Sequence, residues 1–172
     1  MDPIATVRAL VLSDTHLRDD LAKLPPEVWD GLTTADVVLH AGDVVTGHLL
    51  GALRDRARDG VEVHAVLGNN DRTLVGRLPE RLELELAGVR VAMVHDSGTR
   101  VGRERRMRRS FPDARVVVFG HSHVPVDAEG IEGQLLFNPG SAVQQRRQPR
   151  RTMGWLTLAD GEVTGHEVVA IS

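Results

Sequence analysis

Five short apolar runs, rich in β-branched residues, each stop at a cluster of aspartate, histidine or asparagine. Residues 7–12 run into Ser13-Asp14-Thr15-His16, 37–39 into His40-Ala41-Gly42-Asp43, and 61–67 into Gly68-Asn69-Asn70-Asp71. Residues 89–94 run into His95-Asp96, and 116–119 into Gly120-His121-Ser122-His123. Val/Leu-rich runs bounded by Gly and Asp read as strands buried on both faces. The stretches between them read as helices. Residues 47–59 carry Leu49, Leu50, Leu53 and Ala57 at helical spacing, with Gly60 placed to end the helix. Residues 25–32 and 101–110 read as two shorter ones. Strand–helix–strand alternation predicts parallel strands with right-handed crossovers. The second half carries hairpin signals, at Ala87-Gly88 and more strongly at Asp160-Gly161. The expected fold is α/β with α+β character: two mixed sheets packed face to face, helices outside, four layers in all. At 172 residues the chain is expected to form one domain, 1–172.

Parallel strands bring their carboxyl ends to one edge, where open α/β sheets bind ligands. That edge would gather Asp14, His16, Asp43, Asn69, His95, His121 and His123. Composition narrows what such a cluster can do. The chain has eight His and no Cys. A disulfide scaffold, a Cys-ligated zinc finger, an iron–sulfur site and a thiol nucleophile are all excluded. Any metal must be held by nitrogen and oxygen. Two carboxylates, four imidazoles and an amide oxygen are too many for one tetrahedral ion. They fit two ions sharing a carboxylate, and ions ~3.5–4 Å apart can clamp the attacking and leaving oxygens of a displacement at phosphorus. Asp-x-His, His-x-His and Gly-Asp are each common by chance. Their joint occurrence at strand ends points to a dinuclear metal phosphoesterase. The net charge of −3 argues against a nucleic-acid partner. No apolar run approaches the ~20 residues that span a bilayer. Residues 1–12 lack a cleavage site of secretory type, so the expected location is the cytoplasm.

Taken together, Asp14-x-His16, Gly42-Asp43, Gly68-Asn69-x-Asp71, His95 and Gly120-His121-x-His123 resemble the calcineurin-like metallophosphoesterases. The short length, Asn138-Pro139-Gly140-Ser141 and the C-terminal hairpin resemble the small bacterial and archaeal phosphodiesterases, which are related to the retromer subunit Vps29. The resemblance covers residues 7–158. It implies a first metal held by Asp14, His16 and His123, with Asp43 bridging, and a second held by Asp43, Asn69, His95 and His121. It also implies in-line attack on a small phosphoester by a metal-bridging hydroxide. Asp43, Asn69, Asn70 and His95 would lie nearest the chemistry. Manganese is the first expectation for the two divalent ions; iron, zinc, nickel or cobalt would also suit the donors. The alternatives are a non-catalytic scaffold on the same fold, as in Vps29, or a nuclease. The hairpin edges could pair chains into a homodimer or homotetramer.

Three positions depart from the family pattern. Asn70 stands where many members have His and small ones often have Cys. Asn cannot act as a general acid, which predicts better activity on esters with good leaving groups. Asp96 replaces a usual Gly, as an orienter of an imidazole or a turn cap. Gln144-Gln145-Arg146-Arg147 replaces a usual Pro-Arg pair. Among other residues, His40 reads as support for the site, Asp71 as orienting a neighbouring imidazole or loop or, equally, as stabilising its own turn, and Asn138 to Ser141 as a turn beside the site. His48, His64 and His166 match no motif. The arginines from Arg100 to Arg109 read as a solvated helix face, whereas those from Arg146 to Arg151 follow the turn near the site and have the better claim to an anionic substrate.

Overall fold

A computed structural model describes residues 5–172. Residues 1–4, part of the stretch read as carrying no leader, lie outside the described residues. In chain order the strands are β1 (Thr6–Leu12), β2 (Val37–His40), β3 (Glu62–Ala65), β4 (Arg81–Leu86), β5 (Val89–Val94), β6 (Val116–Val118), β7 (Val126–Glu129), β8 (Leu135–Asn138), β9 (Arg151–Ala159) and β10 (Glu162–Ile171). The helices are α1 (Pro26–Gly31), α2 (Gly47–Arg56) and α3 (Arg103–Ser110). The strands form two five-stranded sheets, ordered β10-β9-β1-β2-β3 and β4-β5-β6-β8-β7. Each sheet contains three parallel strands, β1-β2-β3 in one and β5-β6-β8 in the other, with antiparallel neighbours beside them.

Alternation along each strand builds the layers, because successive side chains point to opposite faces. Ala9 and Val11 of β1 join Val91, Met93, Val116, Val118 and Phe137 between the sheets. Leu10 and Leu12 face the other way and pack with Val28, Leu32, Leu49 and Leu53 of the α1 and α2 region. Ala92, Val117 and Leu136 pack with Met107 and Phe111 at α3. The order is therefore helix, sheet, sheet, helix, as expected. With five aromatic residues other than histidine, two Trp and three Phe, the interior is largely aliphatic. Among the described residues no helix is long and apolar enough to cross a membrane.

Three local expectations change. The helix from Gly47 ends at Arg56, and Ala57 is already extended at ψ 157°. Arg58 then donates to the Ala35 carbonyl and to Asp36, which ties the chain down before Gly60 can cap anything. The second half is less antiparallel than its hairpins suggest. Leu135-Leu136-Phe137 runs into Asn138 and forms a sixth buried strand, β8, parallel to β6. The C-terminal hairpin crosses to the first sheet, where β9 pairs with β1.

Candidate metal centre

All seven candidate donors lie just past the carboxyl ends of β1, β2, β3, β5 and β6. Five of them have left-handed backbone: Asp14 (φ 53°), His16 (47°), Asp43 (57°), His121 (69°) and His123 (59°). Such conformations cost non-glycine residues on the order of 1–3 kcal/mol each and persist only where surrounding contacts hold them. Here the loops hold one another. The amides of Asp14 and His16 donate to the carbonyls of Gly42 and Asp43, both at 2.9 Å. His121 and His123 thus reach one site through two left-handed residues beyond β6, not through the two-residue repeat of a strand.

The glycines of the motifs are required by close approach. A Cβ on Gly68 would stand 2.2 Å from the Asp43 amide nitrogen, and one on Gly120 would stand 1.9 Å from Ser13 Oγ. No side chain fits at either distance, so Gly-Asn and Gly-His are the pairs that let neighbouring loops touch.

The donor atoms converge. His16 Nε2 lies 3.3 Å from His123 Nε2 and 3.3 Å from Asp43 Oδ2. His123 Nε2 lies 3.5 Å from Asp14 Oδ1. On the other side, His95 Nε2 is 3.4 Å from Asp43 Oδ2, 3.9 Å from Asp14 Oδ1 and 2.9 Å from Asn69 Oδ1. Asn69 Oδ1 in turn is 3.1 Å from His121 Nδ1. Two triads, Asp14/His16/His123 and Asp14/Asp43/His95, have ligand atoms within 4.8 Å of one another. Asp43 Oδ2 sits between His16 and His95, the position a shared carboxylate needs. Asp14, His95, His123 and Asp43 are buried, whereas Asn69, Asn70 and His121 are exposed, so the cluster is a floor with an open rim.

Hydrogen bonds outside the cluster fix which atoms face inward. His95 Nδ1 donates to the Ala41 carbonyl at 2.7 Å, and His123 Nδ1 to the Gln144 carbonyl at 3.1 Å. A carbonyl can only accept, so each ring keeps its Nε2 lone pair for the cluster. Burial pushes His123 down to about 4 and lowers His16 as well, and the positive charge of Arg146 adds to both shifts. Burial raises Asp14 to about 6, against the hydrogen bond from Ser13. Burial alone would also raise Asp43, but hydrogen bonding to His95 and Asn70 outweighs it and holds that carboxyl well below the usual range. His95 shows the reverse balance: burial would lower it, but Asp43 and the Ala41 carbonyl raise it. Among the described residues, the ion-pair partners of Asp14 and Asp43 are histidines, with no lysine or arginine. Buried carboxylates without a cationic partner are costly. Imidazole nitrogens and carboxylate oxygens together suit a divalent transition-metal ion, so the residues present fit the pair of ions that the motif implies.

The supporting residues are only partly those the sequence suggests. Asp71 is buried and accepts from the amides of Asp43 (3.0 Å), Gly68 (2.7 Å) and Val45 (2.6 Å), so it orients a loop and no imidazole. His40, lowered to about 3 by burial, accepts from the Gly42 amide and meets Thr15 Oγ1 at 3.0 Å, joining two donor loops without reaching a donor atom. Asn70 donates to Asp43 through its backbone and side-chain amides, at 2.8 and 2.7 Å. Ser141 Oγ donates to the Asp14 carbonyl, and Asn138 Nδ2 to the Gly120 carbonyl. Both lie at or just past the end of β8, whose apolar run ends in a polar group as the other five do. That ending is the signal for a sixth contributing strand. Ser13, which donates to Asp14 Oδ2 at 2.7 Å, belongs to the polar stop after β1, whereas the backbone carbonyls of Ala41 and Gln144 carry no signal.

Asp96 Oδ1 accepts from the Gly98 amide at 2.7 Å, and its other oxygen is 3.9 Å from His121 Nε2. The turn cap is the tighter contact. The arginines of α3 are not simply solvated. Arg106 donates to the carbonyls of Ser97, Thr99 and Val101, and Arg108 pairs with Glu132. His64 meets Glu62 and His166 meets Asp127, both away from the cluster.

Residues 7–161 match the calcineurin-like phosphoesterase superfamily domain, and the chain belongs to that family. It is 30% identical over 161 residues to a probable metallophosphoesterase of Methanothermobacter thermautotrophicus, covering 92% of this chain and 90% of that one. Wild-type Vps29 of Entamoeba histolytica, solved in complex with Zn²⁺, superposes with a TM-score of 0.70 at 25% identity, covering 95% and 98% of the two chains. A novel archaeal phosphodiesterase superposes with a TM-score of 0.72 over 95% and 99%; at 18% identity it attests the fold alone.

Proposed function

We propose that the chain is a metal-dependent phosphodiesterase whose two divalent cations, manganese first among them, are held by Asp14, His16, Asp43, Asn69, His95, His121 and His123. One observation carries this reading. Nε2 of His16 and Nε2 of His123 face each other at 3.3 Å beside two buried carboxylates, and both rings are held toward the neutral form. Divalent ions bound there supply Lewis acidity, which lowers the pKa of water and draws charge from a phosphoryl group. The chain's residues do the rest. Asp14 and Asp43 provide the negative charge that retains cations, and Asn70 clamps Asp43 from the exposed side. Arg146, whose charge reaches both His16 and His123, favours an anionic ester at the rim. The probable metallophosphoesterase relative and the fold shared with an archaeal phosphodiesterase support the same reading.

Hydrolysis of bis(p-nitrophenyl) phosphate with Mn²⁺, its loss with chelator, and no cleavage of single-stranded DNA are the expected results. Absence of metal-dependent turnover of any phosphoester overturns the reading in favour of a binding module of the Vps29 type. Cleavage of the DNA would instead make the chain a nuclease.

At Asn70 no side chain can protonate a leaving group. An Asn70→His variant is expected to gain about tenfold or more on an alkyl phosphodiester, a modest share of what general acid catalysis contributes. It should gain far less on a nitrophenyl ester. Equal rates for variant and parent on the alkyl ester would remove the argument.

A further inference from the structure

Outside the cluster, a cavity of about 540 Å³ is lined by the start of α3, the loop after β6, and strands β7 and β8. None of the candidate donors lines it, but Asp96, 3.9 Å from His121 Nε2, is near enough to Arg103 for its charge to act on that guanidinium, so the cavity lies on the His121 side of the candidate metal centre. Val124, Pro125 and Leu136 give it apolar surface, while Arg100 and Arg103 give it two guanidinium groups. Glu104 is the one carboxylate of the lining, which leaves a net positive charge. The volume falls within the ~300–1,000 Å³ typical of small-molecule sites.

Arg103 is the informative residue. Its Nε is buried and has no hydrogen-bond partner. Its hydrogen bond is a long one, from Nη2 to the Gly98 carbonyl at 3.5 Å. The guanidinium lies 4.9 Å from the centre of the Phe119 ring. Burial lowers its pKa, the charges of Arg106 and Arg100 lower it further, and the Asp96 carboxylate opposes them. Neighbouring Arg106 is fully engaged with loop carbonyls. Arg100, which is exposed, and Arg103 therefore bring two guanidinium groups and a net positive charge to a concave, partly apolar space. Guanidinium forks match phosphate and carboxylate oxygens bidentately.

We propose that this cavity seats an organic group esterified to the reacting phosphate, and that Arg100 and Arg103 bind a second anionic group, a phosphate or carboxylate, carried on it. The substrate class is then a phosphodiester with a further negative charge on one organic half. A nitrophenyl ring alone would leave the arginines without a partner. The proposal rests on the phosphodiesterase reading above and names the substrate side of that site.

A matched pair of substrates tests it. Thymidine 5′-(p-nitrophenyl phosphate) and the same ester bearing a 3′-phosphate release the same nitrophenolate and differ by one anion. The Mn²⁺-loaded chain should prefer the 3′-phosphorylated ester in kcat/KM by about tenfold or more, the effect of one good charge-assisted contact. Arg103→Gln and Arg100→Gln should each bring the ratio towards one. Arg100 is exposed and has no packing role comparable to that of Arg103 on Phe119, so its variant guards against misfolding. Calorimetry with thymidine 3′,5′-bisphosphate in the presence of chelator gives a readout independent of turnover, and its affinity should fall about tenfold in either variant. No preference in the parent, or one that survives both substitutions, overturns the proposal. If neither ester turns over, the phosphodiesterase reading fails, and the calorimetric comparison alone decides whether the arginines form an anion site.

Discussion

Replacing Asp43 by Asn is expected to lower metal-dependent hydrolysis of bis(p-nitrophenyl) phosphate by about three orders of magnitude, the several kcal/mol that metal-derived charge stabilisation supplies. Oδ2 of this residue stands 3.3 Å from His16 Nε2 and 3.4 Å from His95 Nε2, so it serves both halves of the cluster. It also receives the Asn70 side-chain amide at 2.7 Å. An amide of the same shape removes the negative charge. If its NH₂ takes the Oδ2 position, it also sets one donor against the Asn70 donor. Metal content of the purified variant, measured beside kcat/KM, should fall in parallel. His166→Ala, whose ring meets Asp127 far from the donors, is the matched control and should behave as the parent does. Full activity of Asp43→Asn would overturn the assignment of this carboxylate, and unchanged metal content would locate the effect outside metal retention.

The candidate donors are legible in the amino-acid sequence because each is a polar residue at an abrupt stop in an apolar run. That rule needs no knowledge of pairing. Parallel strands with ends on one side suffice, and β1, β2, β3, β5 and β6 meet that condition. The rule also extends to β8, where Asn138 and Ser141 brace Gly120 and Asp14. The backbone that aims the donors is not legible in the same way. Nothing in Asp14-Thr15-His16 marks positions 14 and 16 as left-handed, since that conformation is imposed by bonds to the facing Gly42 and Asp43 carbonyls. Two of the groups that fix the imidazole tautomers are main-chain carbonyls, at Ala41 and Gln144, and carry no side-chain signal at all. The swap of the C-terminal hairpin onto the first sheet is hidden for a similar reason. A hairpin announces its own turn, but the strand it joins depends on long-range packing.

Replacing Asp71 by Ala should be the most destabilising change close to the site that leaves every candidate donor in place. One buried carboxylate accepts three amides, those of Asp43, Gly68 and Val45, at 2.6 to 3.0 Å. Val45 holds φ at 80°, where a β-branched side chain is a true outlier and needs such a restraint. Orphaning buried N–H groups costs about 1–3 kcal/mol apiece, with incomplete additivity, so a loss on the order of 3 kcal/mol is expected. For a chain of this length that lowers the thermal midpoint by roughly 6–12 °C. Asp71 touches no reacting atom and acts through Asp43, so it is a positioning residue. Its second effect should appear in the folded variant well below the midpoint: Mn²⁺ affinity weaker by about 10–100-fold, the usual consequence of losing an outer hydrogen bond to a ligand. Asp71→Asn, which keeps one accepting oxygen, should fall between parent and alanine variant on both scales. A lowered midpoint with unaltered Mn²⁺ affinity would make Asp71 a fold residue only. The placement of Asp43 would then rest on Asn70 and the strained loop itself.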